Sequence, residues 1–291
     1  MPTTTTNREP RKKFVAAGLG ALLALAALYG LTGYDALLTS DSWAYLRYAR
    51  TLARGTFFDN PEVYSVFRTL WPATGRLELK SGLRHITGGK IFFGYELGFP
   101  LLLAAAIRLF GFPAAFFVNP VLLVLSLAFA FLTVRLAFAS DPDRDGIALL
   151  SLAILLLLPP DRLEQSAIKV LRDLPALALM IAGTCCLLRA GRSRPVRGST
   201  VFMGTLFFSG AAAVRFNYLP NLLPAAAFLV AALIRNRAGG RETARVALAF
   251  VAGLSVLVLA IAIQDLAQQG EILVSLRKIH SLARVLAGGS R

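Results

Sequence analysis

The sequence has few of the residues from which soluble enzymes build their active sites, with two cysteines and two histidines in 291 residues. Cys185 and Cys186 are adjacent within an apolar run, a spacing that gives neither a disulfide framework nor a metal-binding knuckle. His85 and His280 have no neighbouring ligand pattern. The chain also lacks a phosphate-binding glycine loop ending in Lys-Ser/Thr and a complete dinucleotide fingerprint. The familiar motifs of soluble enzymes are therefore absent.

Acidic residues are also scarce, with 16 Asp and Glu against 31 Lys and Arg, and only 16% of all residues are charged. A hydrophobic fraction of 56% is typical of a polytopic membrane protein rather than a soluble domain. The basic residues lie in short clusters between apolar runs, so they indicate membrane topology and no nucleic-acid partner is expected.

Apolar runs and basic clusters together predict an all-α polytopic membrane protein with about seven transmembrane helices. Basic clusters occur at residues 8–13, 189–197 and 235–245, and cytoplasmic loops normally carry the excess of Lys and Arg. All three clusters lie on the same side of the membrane only if one early apolar run does not cross the bilayer. Residues 95–112 are that run, because their continuous apolar part is too short to span and favours a re-entrant or interfacial helix. The seven predicted crossings are residues 14–34, 114–138, 146–160, 174–190, 199–214, 219–234 and 246–265.

This topology divides the chain into a cytoplasmic tail, 1–13, a transmembrane module, 14–265, and an external amphipathic tail, 266–291. The module contains one large external loop, about 35–113. A basic start followed by an apolar run is also compatible with a cleaved secretory signal, but the length of the run favours a first transmembrane helix. The composition, rich in alanine and arginine, suggests a bacterial inner membrane.

The segment TSDSWAYLRYARTLARG, residues 39–55, follows the first apolar run and predicts an interfacial helix. Its arginines fall on one helical face and its small and apolar residues on another, so the helix can lie flat on the membrane. Trp43, Tyr45 and Tyr48 are expected at the headgroup level. Asp41 stands at the start of this helix. It either caps the helix while the arginines hold lipid phosphates, or it takes part in chemistry.

The remaining charges favour chemistry at the external face. On the predicted topology Asp41, Glu96, Asp173 and Arg215 all come to that face, while the middles of the spans are nearly free of ionisable groups. A proton-coupled transporter or a channel would be expected to place such groups at membrane depth.

Three segments resemble the GT-C superfamily of integral-membrane glycosyltransferases, which includes protein O-mannosyltransferases and lipid A aminoarabinose transferases. DSWAYLRYARTLARG resembles the family's aspartate and helix at the start of the first external loop. GFPLLLAAAIRLFG is similar to its proline-led juxtamembrane helix, and RDLPALALMIAGTCCLLRAG to the acidic residue and proline that open its fourth span. The family shares a seven-helix core with interfacial helices after the first span.

The resemblance implies transfer of a sugar from a polyprenyl-phosphate donor to an acceptor at the external face, with inversion. Such a reaction needs a carboxylate to take the acceptor's proton and cations to stabilise the departing phosphate. Asp41 is the expected general base, and the expected substrate-binding residues are Asp173, Arg172, Lys169, Arg215, Glu96 and Tyr45. Some of these residues have structural alternatives: Asp173 as a helix cap, Arg215 as a snorkelling residue, and Glu96 as the ion-pair partner of a loop arginine.

No cofactor is certain on this hypothesis. A divalent metal on Asp41 and Asp173 is left open, because sequence does not show whether the two carboxylates converge. A lipid transporter or flippase, or a non-catalytic membrane subunit, are the alternative functions. The bilayer itself is an expected partner in every case, and the acceptor is not identified.

Overall fold

A computed structural model describes residues 15–24, 27, 40–59, 83–87, 90–93, 96–157 and 172–269. The described residues are predominantly helical, as predicted for the all-α class. The helices are α1 Val15–Ala24, α2 Ser40–Ala53, α3 Gly98–Phe110, α4 Ala114–Ala137, α5 Arg144–Leu157, α6 Asp173–Arg192, α7 Gly198–Val214, α8 Leu222–Arg235 and α9 Gly240–Gln269, with a 3-10 helix at Phe216–Asn221 before α8.

Three short strands in the large loop were not predicted: β1 Phe58–Asp59, β2 Leu83–Thr87 and β3 Lys90–Phe93. They form an antiparallel sheet in the order β1-β3-β2, with Thr87 opposite Lys90. A sequence signal was available, because Gly88 and Gly89 separate two runs containing β-branched or aromatic residues, as in a two-residue hairpin.

Helix α7 lies at the centre of the bundle, between α6 and α9. Glycines allow the close approach: a Cβ at Gly204 would lie 2.7 Å from Leu187 Cδ2, and a Cβ at Gly253 would lie 2.6 Å from Thr205 Cβ. Small residues at helix crossings are typical of membrane bundles, in which van der Waals packing replaces the hydrophobic effect. Helix α4 packs on α6 and α5 packs on α4, while apolar residues of α1 join the α4–α5 cluster.

Large apolar side chains cover the outside of the bundle. Exposed examples include Leu125 on α4, Ile234 on α8, and Leu248 and Leu259 on α9. Such a surface would cause a soluble monomer to associate, but it suits helices whose outer faces contact lipid. Four helical segments are long and apolar enough to span a membrane: Ala114–Ala137, Asp173–Arg192, Phe216–Arg235 and Gly240–Leu266. The length and apolar composition of these helices are those of an integral membrane protein.

Of the seven predicted crossings, these four segments correspond to residues 114–138, 174–190, 219–234 and 246–265. Helix α7 corresponds to 199–214 but has only 17 residues, or about 26 Å at 1.5 Å per residue. The runs 14–34 and 146–160 are described only in part, as α1 and α5. The amphipathic tail predicted for 266–291 lies outside the described residues beyond Gln269. Seven crossings therefore stay a prediction.

Helices α2 and α3 form a layer across one end of the bundle. The start of α3 contacts the end of α7, since a Cβ on Gly98 would lie 2.7 Å from Val214 N. Ala115, at the start of α4, is buried in the same cluster as Ala176 near the start of α6. Both ends of α3 thus lie at the same end of the bundle, as expected for an interfacial helix that does not cross.

Candidate functional site

Four chain segments converge at the end of the bundle that carries α2 and α3. They are the starts of α3 and α6 and the ends of α7 and α9. The guanidinium of Arg172 forms an ion pair with Glu96, and the guanidinium of Arg215 forms one with Asp173. The backbone N–H of Leu97 donates to Gln264 Oε1 at 3.1 Å. The ion pairs join residues 76 and 42 positions apart, and the Leu97–Gln264 bond joins residues 167 positions apart. Glu96, Arg172, Asp173 and Arg215 thus lie at the same end of the bundle.

The local geometry explains why these four side chains meet. The absence of a side chain at Gly98 lets the start of α3 lie directly against the backbone of Ala213 and Val214. This contact brings Glu96, two residues before Gly98, close to Arg215, the residue that ends α7. Helix α6 begins beside them at Asp173.

Helix dipoles support the Asp173–Arg215 pair. Asp173 lies in the first turn of α6, where the helix N-terminus favours a negative charge, and Arg215 follows the last turn of α7, where a positive charge is favoured. The backbone N–H of Arg215 still donates to Ala211 O at 2.9 Å, so its guanidinium is carried on a fixed helix end. Arg172, the residue before α6, makes no side-chain capping bond. Asp173 therefore forms an ion pair with Arg215, and no side-chain capping bond is formed at the start of α6.

The four charges are only partly withdrawn from solvent. The exposed fractions of the side chains are 46% for Asp173 and 32% for Arg215, against 20% for Glu96 and 28% for Arg172. The Nε of Arg215 is buried and has no hydrogen-bond partner within the described part of the chain. The site is a polar patch of two cations and two anions, with one guanidinium donor unused.

Asp41 is the second residue of α2, and its side chain lies outside the described residues. The position of its helix is defined by Tyr45, whose ring meets Phe99 edge-on with centroids 5.2 Å apart. Phe99 follows Gly98 at the α3–α7 contact, so the start of α2 belongs to the same layer as the ion pairs.

Tyr45 and Tyr48 are not the half-exposed rings expected at the headgroup level. Both are buried, at 2% and 0% exposure, and Tyr45 packs in one cluster with Phe99 and Leu103 of α3. Tyr45 is therefore part of the core under the site and offers no ring surface to a substrate in this structure. Trp43 is 49% exposed, with the Arg47 guanidinium 5.0 Å from its ring centroid, as expected for an interfacial position.

The structure does not support two further expectations, Lys169 as a substrate-binding residue and a divalent metal. Lys169 lies outside the described residues. For a divalent metal, the described part of the chain contains no group of three His, Cys, Asp or Glu side chains that could hold one. Asp173, one of the two proposed oxygen donors, is already paired with Arg215. The described residues alone form no metal site, and a metal on Asp41 and Asp173 stays a prediction because the Asp41 side chain lies outside the described residues.

Sequence reasoning missed the contribution of α9. Gln264 accepts the Leu97 N–H, and its neighbour Asp265 is buried at 1% exposure and makes polar interactions. A signal was present, because Gln264 and Asp265 end the last apolar run at the side that the charge pattern placed outside. By hydropathy alone they mark only the boundary of a span.

An apolar cavity of about 240 Å³ lies between α6, α7 and α8. It begins near Met180, which is seven positions after Asp173 and so about 10 Å along the helix. Its lining is mostly hydrophobic, with Asn221 and Thr184 as polar members: Met180, Thr184, Leu187, Phe208, Asn221 and Phe228, among others. The ion pairs are not part of this lining, so the cavity and the charged patch are separate features.

Comparison with known proteins does not assign the chain to a family. No protein-family model, no curated protein and no solved structure matches it. The function is therefore argued from the site.

Proposed function

We propose that the protein is a membrane glycosyltransferase that moves a sugar from a polyprenyl-phosphate donor to an acceptor at the external face. The observation that carries the proposal is the meeting of Glu96, Arg172, Asp173 and Arg215 at one end of an apolar bundle. A lipid-borne phosphate and a water-borne acceptor would meet at such an end of a membrane bundle, where cations and carboxylates are needed. The resemblance of three segments to GT-C enzymes supplies the reaction class.

In the proposed reaction, Asp41 takes the proton of the acceptor hydroxyl as its oxygen attacks the anomeric carbon. The bond from that carbon to the phosphate oxygen breaks, the configuration inverts, and polyprenyl phosphate leaves with the electron pair. One carboxylate acting as a base is enough for such a direct displacement. Arg172, Arg215 and Lys169 stabilise the growing charge on the phosphate, for which the forked guanidinium is well suited.

The existing ion pairs are compatible with this role of the arginines. Partly exposed pairs of this kind contribute about 0–1 kcal/mol, so a phosphate with two acceptor oxygens can displace a carboxylate at small cost. The cavity beginning about 10 Å along α6 supports a donor with a hydrocarbon tail, because its lining is mostly hydrophobic.

The orientation is inferred from the arginines at the opposite end of the bundle. Exposed arginines at the ends of α6 and α8 and at the start of α9 lie there, and such clusters normally stay cytoplasmic. The charged site then faces outward. We place the protein in a bacterial inner membrane on the composition described above.

The proposal is tested by incubating purified protein with labelled polyprenyl-phosphate sugars and a cell-envelope extract. Asp41→Asn is expected to abolish transfer while leaving expression and folding intact, because an amide retains size and capping ability but is not a base. The matched control is Asp143→Asn, an exposed acid at the opposite end of the bundle, which should transfer like wild type. Equal transfer by Asp41→Asn would remove Asp41 from the mechanism.

A non-catalytic membrane subunit is the second candidate, because each described site carboxylate already has an arginine partner. On this alternative no donor sugar is transferred, and the wild type does not bind polyprenyl phosphate. Binding of that lipid by wild type but not by Arg215→Gln would favour the transferase. A transporter lacks comparable support, since α6 has no charged residue between Asp173 and Arg189 and α9 has none between Arg245 and Asp265.

A further inference from the structure

The end of the bundle opposite the ion pairs joins three segments that are distant in sequence. They are the α6–α7 loop, the α8–α9 turn and the start of α9. The Val196 N–H donates to Glu242 Oε1 at 2.6 Å, and the Arg235 guanidinium donates to Gly191 O. The side chain of Val196 is buried with Val246 of α9. These contacts hold residues 189–197 and 235–245 in one surface.

The joined surface is strongly cationic. Residues 189–197 and 235–245 contain eight arginines, all exposed, and a single acid. That acid, Glu242, accepts the Val196 N–H. None of the eight arginines forms an ion pair with a carboxylate of the described ranges. We name this surface the arginine surface: Arg189, Arg192, Arg194, Arg197, Arg235, Arg237, Arg241 and Arg245.

The arginine surface lies at headgroup depth. Arg245 and Gln264 are nineteen positions apart on α9, so about 29 Å separate them along the helix, which matches the thickness of a bilayer's hydrocarbon core, roughly 30 Å. Because Gln264 belongs to the site at the other end, the arginines reach the opposite headgroup layer. The stem of Arg245 passes close to Gly198, beside Arg197.

We propose that the arginine surface is a binding site for anionic phospholipids of the phosphatidylglycerol and cardiolipin type. Phosphate is the anion available at that depth, and guanidinium groups bind two of its oxygens at once. Basic clusters that served only to orient the chain during insertion would not need to contact one another. Here tertiary contacts join two clusters about forty positions apart, so that the arginines of both form one site.

The test measures the phospholipids retained by the full chain in detergent micelles supplied with equal amounts of phosphatidylglycerol and phosphatidylcholine, counted by native mass spectrometry. Wild type is expected to retain phosphatidylglycerol preferentially. Replacing Arg197, Arg241 and Arg245 by Gln should lower that retention about tenfold or more, since one arginine near an anionic membrane surface contributes roughly fivefold in affinity. The matched control replaces the exposed Arg50, Arg54 and Arg108 at the other end by Gln and should retain the lipid like wild type.

Equal loss in both triple variants, or no loss in the Arg197, Arg241 and Arg245 variant, would overturn the proposal. If that variant does not fold, the single variant Arg241→Gln and a salt titration of wild type test the proposal instead. Lipid retention that neither the substitution nor added salt lowers would contradict binding through these charges. Arginine-dependent binding of a labelled RNA without preference for phosphatidylglycerol would also overturn it.

Discussion

Arg172 and Asp173 are neighbours in sequence but pair with different helices. Arg172 reaches Glu96 before α3, and Asp173 reaches Arg215 after α7. Two consecutive residues thus connect the start of α6 to two other elements. The sequence identified all four residues as charges at the ends of apolar runs, but it could not pair them, because pairing depends on how α3 and α7 pack.

The Asp173–Arg215 pair is expected to matter more for activity than for stability. Since both side chains are substantially exposed, Asp173→Asn and Arg215→Gln should each change the free energy of unfolding by about 1 kcal/mol or less. Thermal unfolding in detergent measures this, and the double variant gives the coupling energy. Arg215→Gln should nevertheless reduce sugar transfer strongly, while Arg215→Lys should restore only part of it because the forked contact is lost.

A loss of roughly 3 kcal/mol or more from either single change would contradict this prediction. Losses of that size are typical of buried pairs in which one charge is left unsatisfied. The pair would then be a structural element of the bundle, which would favour the non-catalytic alternative.

The α2–α3 layer shows how far helical periodicity predicts an element. The pattern of residues 39–55 correctly predicted a helix with an exposed Arg50 and with buried Leu46 and Ala49 on another face. It failed for Tyr45 and Tyr48, because an amphipathic ring suits both a headgroup layer and a buried interface. For Tyr45, the presence of Phe99 on α3 decides between these positions, and that contact spans more than fifty residues of sequence.

The burial of Tyr45 predicts that α2 contributes to the stability of the site. Tyr45→Ala removes a buried ring from the contact with Phe99 and should cost about 3–5 kcal/mol, as for other large aromatic truncations. Trp43→Ala removes a half-exposed ring from the same helix and should cost much less in detergent. Thermal unfolding of both variants checks the contrast, and equal losses would mean that α2 does not pack on α3 as described.

At the scale of the whole molecule, hydropathy predicted the long spans better than the short ones. Helix α7 is short for a bilayer, but it is surrounded by α6 and α9 and contacts them through Gly204 and Gly253. A helix enclosed by protein need not match the hydrocarbon thickness as closely as one that faces lipid. The charge pattern was more informative for the ends, since it correctly placed residues 189–197 and 235–245 together.

Cysteine labelling tests the resulting arrangement across the membrane, in a background carrying Cys185→Ala and Cys186→Ala. Single cysteines at Arg54, after α2, and at Gly111, after α3, should react with an impermeant maleimide added to intact cells. Cysteines at Pro142, between α4 and α5, and at Gly239, before α9, should react only after permeabilisation. All four positions are exposed, so reactivity reports the side of the membrane. Opposite behaviour of the Arg54→Cys and Gly111→Cys variants would show that α3 crosses the bilayer, and would place Glu96 and Gly111 on different sides.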